Sequence, residues 1–287
     1  MSRMIKVAAA QLGPSTDDKK EALGRIETLM AEAVDRGVNV IGFPELCLTP
    51  FFPNRLQRDN DHWFDELPSP LTDRLFGMAR DAGMVVVFPY GEKDGIAHYN
   101  AALVIDADGT VRGKYRKVHI PAYFPADRPG GTGSFERLYF APGNLGFPVF
   151  DTAKGRLGVQ ICYDRMFPEG SRALGIQGAE IVYYPNNYAA YGYEYRRTAW
   201  GRLTQARAYE NGFFAVVPNK AGQEGVRDNA GRSLVISPLG GDIVAEASAT
   251  GEELLVAQID LDDVAEARRR LPFWRDRRPE VYGPLVK

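Results

Sequence analysis

GVQICYDRMFPEG (Gly158–Gly170) carries an apolar run into a polar turn, and a helical pattern begins after Pro168. A buried strand feeding a helix is the repeating unit of α/β domains, and this junction holds Cys162, one of 2 cysteines in the chain. The same alternation extends in both directions. Upstream lie the strand IKVAAAQ (Ile5–Gln11) and a helix over Lys19–Arg36 with Leu23, Ile26, Met30, Ala33 and Val34 on one face. NVIGFPE follows as a buried strand ending at Glu45, then a helix over Leu71–Ala82 and the strands MVVVFPY and HYNAALVID. DADGT (Asp106–Thr110) signals a hairpin whose returning strand is VRGKYRKVHI. Pro121–Asn144, rich in Gly and Pro, reads as a long loop of the kind that is either functional or disordered. Downstream come the strand AEIVYYP, a helix over Tyr195–Glu210, and the strands FFAVVP, RSLVISP and ELLVAQID. The expectation is one α/β domain over residues 1–287 with mixed strand order, since hairpins demand antiparallel neighbours.

Composition removes several classes of function. The 287 residues, 45% hydrophobic with a formal net charge of -2, give no electrostatic case for nucleic acid or a membrane surface. The basic clusters Arg268–Arg270 and Arg275–Arg278 read as a solvated or subunit-contacting face. No apolar run reaches membrane-spanning length and the N-terminus lacks a signal pattern, so a cytoplasmic protein is expected. Cys47 and Cys162 have neither disulfide nor zinc spacing. The glycines of GGTGSFE (Gly130–Glu136) follow no strand and do not complete a dinucleotide fingerprint.

Polar groups just beyond the carboxyl ends of strands line the ligand crevice of open α/β folds. Glu45, Cys162 and the pair Asn186 and Asn187 stand in that position. A thiol at a strand-to-turn junction is a candidate nucleophile, with the amide of Tyr163 as an oxyanion donor. It needs a proton acceptor, and a carboxylate after an apolar strand, Glu45, is a base raised toward the working range by desolvation. Strand alternation places Tyr115, Lys117 and His119 on one face, where the Lys117 ammonium can steady a thiolate and an oxyanion. Taken singly, each has an ordinary alternative: a buried small hydrophobe for Cys162, a cap or ion-pair partner for Glu45, a solvated lysine for Lys117.

Together, FPE with Glu45, KYRKVH with Lys117 and ICYDRMFPE with Cys162 resemble the Glu, Lys and Cys segments of the nitrilase-like carbon-nitrogen hydrolases, in that order and at similar spacing. The resemblance covers almost the whole chain, including FERLYFAPGNLGFPVFD and RRPEVYGP. It implies a four-layer αββα sandwich with mixed sheets, pairing into a homodimer or larger homo-oligomer, with the tail 271–287 at a subunit interface. It implies a Cys–Glu–Lys triad working through a thioester with no metal or organic cofactor, and Glu136 as a supporting second glutamate that holds Lys117 and the substrate.

Arg165 lies three residues past the cysteine, where N-carbamoyl-D-amino acid hydrolases and β-ureidopropionases also carry Arg. The resemblance therefore implies an acidic ureido substrate with Arg165 on its carboxylate; from the residues alone, a salt bridge to Asp164 or Glu169 is as well supported. Asn186 and Asn187 are candidate contacts to the amide or ureido group. Phe51, Phe52, Tyr123, Phe124, Tyr188, Tyr191, Tyr193 and Tyr195 are pocket or core candidates. Two departures stand out: Tyr163 and Met166 replace the Asn and second Arg of the D-carbamoylase pattern, and Ser134 and Phe135 stand where its histidine precedes the second glutamate. A general aliphatic or aromatic amidase, an N-carbamoylputrescine-type amidohydrolase and a catalytically silent nitrilase-like binding protein are the rival readings.

Overall fold

The apolar strands assemble into two six-stranded sheets. The computed structural model describes residues 2–123, 133–190 and 194–286. The first sheet runs in the order β14 (Glu253–Asp260), β1 (Met4–Gln11), β2 (Val40–Gly42), β3 (Val85–Asp94), β4 (Ala97–Ile105), β5 (Val111–Arg116). The second runs β13 (Ile243–Glu246), β12 (Leu234–Ile236), β9 (Phe214–Val217), β8 (Ile181–Tyr183), β7 (Gly155–Val159), β6 (Val149–Thr152). In each the central pairs are parallel and the outer ones antiparallel. A two-stranded hairpin, β10 (Ala221–Glu224) with β11 (Arg227–Ala230), stands outside both.

Strand alternation explains the four layers. In β1, β2 and β3, Ala8, Ile41 and Val86 face one way and pack on Ile26, Leu29 and Met30 of α1 (Lys19–Asp35) and on Leu75 and Ala79 of α2 (Asp73–Ala82). Val7, Val40 and Val85 face the other way, onto Leu157, Ile181, Tyr183 and Val216 of the second sheet. The outer face of that sheet, with Val182, Ala215 and Leu234, is covered by Leu174 of α4 (Pro168–Ile176) and by Trp200 and Ala208 of α5 (Glu194–Asn211). The result is an αββα sandwich. Gly42 is required at its centre, because a Cβ there would lie 2.3 Å from Tyr183 Cδ1, whose hydroxyl donates across the sheets to Val40 O at 3.0 Å.

Some expectations shift. VRGKYRKVHI stops being a strand at Arg116, so Lys117 lies one residue past β5 instead of on a strand face; its carbonyl is taken by the loop residue Gly143. β2 likewise ends at Gly42, and Glu45 follows in a turn. The loop Pro121–Asn144 contains a short helix, α3 (Glu136–Tyr139). The hairpin β10–β11 and α6 (Asp262–Arg270) had no expectation attached to them. Among the described residues, no helix is long and apolar enough to cross a membrane. The basic cluster divides: Arg269 and Arg270 pair with Glu266 at the surface, while Arg268 donates to the carbonyls of Gly212 and Ala179.

Candidate active site

Parallel strands place their carboxyl ends together, and the candidate side chains converge there. Glu45 is fully buried in the turn after β2. Its Oε1 accepts from Lys117 Nζ at 2.7 Å and from Asn100 Nδ2 at 2.7 Å. Its Oε2, also buried, has no hydrogen-bond partner among the described residues. Lys117 Nζ donates a second bond, to Glu136 Oε2 at 2.6 Å, and Ser134 Oγ donates to Glu136 Oε1 at 3.1 Å. One ammonium thus lies between two buried carboxylates. The Lys117 backbone is pinned from both sides, its N–H donating to Asn100 O and its carbonyl accepting from Gly143 N, each at 2.8 Å. Gly143 fits because a Cβ there would stand 2.1 Å from Arg116 O.

Cys162 follows β7 of the second sheet, at the start of a 3-10 turn over Cys162–Met166 that replaces the smooth entry into a helix. Its φ of 46° lies in the left-handed region, which costs a non-glycine residue about 1–2 kcal/mol and persists only where the surroundings impose it. They do so here. Cys162 N–H donates to Pro185 O at 2.8 Å, and its carbonyl accepts from Arg165 Nη1 at 3.1 Å. Asp164, fully buried, accepts from Tyr115 Oη at 2.7 Å and from the amides of Ile161 and His119. The Tyr163 amide opens this turn, where backbone N–H groups lack intrahelical acceptors.

Charge and burial set the protonation states. Burial pushes the Cys162 thiol up, Glu45 adds to the rise while Lys117 and Arg165 oppose it, and the thiol lies at about 11. The resting group is therefore a thiol that needs a base. Burial disfavours the Lys117 ammonium, but Glu136 and Glu45 outweigh it and hold the lysine above its ordinary value. Glu136 is raised by burial, with Lys117 opposing. Among the described residues no group of three or more His, Cys, Asp or Glu side chains is arranged to hold a metal ion.

The cleft over Cys162 is lined by Phe51, Ser134, Glu136, Tyr163, Arg165, Met166, Asn187, Tyr188, Arg196 and Arg227. Arg165 forms no ion pair with Asp164 or Glu169: it is buried, its Nη1 also donates to Asn186 Oδ1, and its guanidinium lies 4.8 Å from the Tyr188 ring centroid. Asn186 stands behind the cleft, its Nδ2 donating to Tyr184 O at 2.5 Å, so both ends of its amide are engaged. Asn187 does reach the lining. Of the aromatic candidates, Phe51, Tyr123 and Tyr188 line the cleft, Phe52 packs in a core with Trp63 and Tyr139, and Tyr195 is exposed. Phe124, Tyr191 and Tyr193 lie outside the described residues. Asn100, Arg196 and Arg227 had drawn no attention; only Asn100 left a signal, as a lone amide inside an apolar strand.

A sequence model of the carbon-nitrogen hydrolases matches residues 6–269. The chain belongs to the carbon-nitrogen hydrolase family. This hydrolase is 36% identical to an N-carbamoylputrescine amidase of Solanum lycopersicum, over 99% of this chain and 96% of the relative. It is 33% identical to a citrullinase of Francisella tularensis, over 99% and 98%. Among solved structures, a carbon-nitrogen hydrolase from Helicobacter pylori G27 superposes with a TM-score of 0.87 at 30% identity, covering 99% of each chain. An amidase variant from Nesterenkonia sp. AN1, in which the acetamide moiety of fluoroacetamide is added covalently at the active-site cysteine, superposes at 0.78 with 27% identity, over 97% and 95%.

Proposed function

We propose that this hydrolase cleaves the terminal C–N bond of a small ureido compound bearing a carboxylate, an N-carbamoyl amino acid, with Cys162 as nucleophile, Glu45 as general base and acid, and Lys117 with the Tyr163 amide as oxyanion donors. For the chemistry, the supporting observation is the asymmetry of Glu45: one oxygen is fixed by Lys117 and Asn100, and the other is buried without a partner. That free oxygen takes the thiol proton as sulfur attacks the ureido carbon. The tetrahedral oxyanion is held by the ammonium and the amide. Glu45 returns the proton to the departing nitrogen, releasing ammonia and leaving a carbamoyl thioester. Water, deprotonated by Glu45, displaces the sulfur; the carbamate formed loses carbon dioxide to give the amino acid, and Cys162 regains its proton.

For the substrate, the observation is charge. Arg165, Arg196 and Arg227 line the cleft beside one carboxylate of the described lining, Glu136, which shares the Lys117 ammonium with Glu45, so the cations outnumber the carboxylates. A positive wall favours a carboxylate and opposes the ammonium of N-carbamoylputrescine, even though several relatives carry that name. The relative named citrullinase points to a ureido amino acid. The test is ammonia release from N-carbamoyl D- and L-amino acids, citrulline, N-carbamoyl-β-alanine, N-carbamoylputrescine and simple amides, with Cys162→Ala as control. Turnover of carboxylate-bearing ureido compounds supports the reading; turnover confined to N-carbamoylputrescine or neutral amides overturns the substrate assignment and leaves the amidase chemistry.

A further inference from the structure

The hairpin β10–β11 belongs to neither sheet, yet it carries Arg227 into the cleft beside Cys162. Arg227 is 1% exposed, its guanidinium lies 3.9 Å from the Phe51 ring centroid, and its Nη2 donates to Asn187 O at 2.6 Å and Asn187 Oδ1 at 3.3 Å. A guanidinium has hydrogens to donate and no lone pair to offer. The Asn187 amide is therefore turned with Oδ1 toward Arg227 and Nδ2 away from it. That Nδ2 is buried in a residue of the cleft lining and meets no acceptor among the described residues. A buried donor without an acceptor is costly, and a ligand oxygen relieves it.

The hairpin and the Phe51 turn are fastened together. Lys220 Nζ, fully buried, donates to Glu224 Oε2 at 3.0 Å, Thr49 O at 2.8 Å and Ser15 Oγ at 2.9 Å. Glu224 accepts from Phe51 N at 2.7 Å and Ser15 N at 2.9 Å. Arg227, the ring beneath it and the amide beside it thus form a preorganised group, which limits the ordering cost of binding.

We propose that Asn187 Nδ2 and the Arg227 guanidinium together bind the substrate's carboxylate, making Arg227 the residue that selects anionic over neutral ureido compounds. The proposal rests on the carboxylate-bearing substrate assigned above. Arg165 also lines the cleft and adds its charge; what marks the Arg227 side is Asn187 Nδ2, the buried donor without an acceptor among the described residues beside it.

The test compares kcat/KM for N-carbamoyl-β-alanine with that for propylurea, which has the same ureido group and a methyl in place of the carboxylate. In Arg227→Gln the anionic-to-neutral ratio falls about 10–100-fold, the loss expected for a charge-assisted bidentate contact. Arg227→Lys keeps the charge without the planar fork and gives an intermediate ratio, and it serves in place of the glutamine variant should that fail to fold. Inhibition of propylurea turnover by propionate in the wild type, weakened in Arg227→Lys, reports the same site without relying on turnover of the anion. Turnover of the anionic compound with the ratio intact in both variants overturns the role of Arg227 alone. If the wild type hydrolyses no carboxylate-bearing ureido compound, the parent reading fails with it.

Discussion

Replacing Lys117 by Met removes the ammonium between Glu45 and Glu136 and leaves two buried carboxylates facing each other. At 2.6 and 2.7 Å, each ion pair has a gross attraction of about 6 kcal/mol at an effective dielectric constant near 20, most of it offset by desolvation. Breaking such a group by deleting one partner costs about 3–5 kcal/mol because the remaining charge is stranded. For a chain of this size the midpoint of thermal unfolding should fall on the order of 10 °C at pH 8. The loss should depend on pH in a fixed direction. Without Lys117, Glu136, already raised by burial, is driven further above its unfolded value near about 4.3, and a group raised in the folded state favours folding below its unfolded pKa and loses that contribution as pH rises through the folded one. Lys117→Met should therefore recover toward wild type as pH drops from 8 to 5. Adding Glu136→Gln removes the stranded charge, so the double variant should be more stable than Lys117→Met by about 1–3 kcal/mol, although Glu136→Gln alone is destabilising. Urea unfolding of the four proteins at both pH values measures this. A double variant that loses the sum of the single losses would refute the three-charge account.

Glu45→Gln should lower kcat by about 10²–10⁴-fold. Because the Glu45 charge contributes to holding the thiol at about 11, the same variant should alkylate with iodoacetamide at a lower pH midpoint than wild type; an unchanged or higher midpoint would separate Glu45 from Cys162. Asn100→Leu removes the second donor to Glu45 Oε1 and should cost about tenfold in kcat, the worth of one buried charge-assisted bond, with little change in KM. In Gly143→Ala the new methyl meets the Arg116 carbonyl, a backbone atom that cannot swing aside, so stability should fall by about 1–3 kcal/mol or more with activity reduced through Lys117; chemical denaturation and kcat at saturating substrate check both.

What was legible in the sequence follows from how each signal arises. Glu45 and Cys162 each follow an apolar run, and a polar group in that place is visible in one dimension; Lys117 comes from strand alternation, and Glu136, inside a Gly- and Pro-rich loop, only from the resemblance of FERLYFAPG to the family pattern. The strand alternation that singles out Lys117 does not reach it, since the strand ends at Arg116, yet the ammonium still lies against Glu45 and Glu136. The hairpin at Ala221–Ala230 was invisible: AGQEGVRDNA is polar with no apolar alternation, and its pairing is fixed by the buried Lys220 and Glu224, whose contacts with Ser15, Thr49 and Phe51 span some 170–205 residues. Arg227 was missed for that reason. Asn186 and Asn187 looked equivalent as neighbours in a turn, yet successive side chains diverge, and only the second reaches the cleft.

The two carboxylates sharing one ammonium fix the electrical total of the enclosure beneath Cys162 at one negative charge when the thiol is intact. Passing the thiol proton to Glu45 relocates that charge from oxygen to sulfur and leaves the total unchanged. In the proposed mechanism the opening step therefore asks the surrounding protein to solvate no new ion. A neutral ureido group arriving over the sulfur does not alter the sum either, so the surrounding protein meets a displacement of charge within the enclosure and not the arrival of a new one.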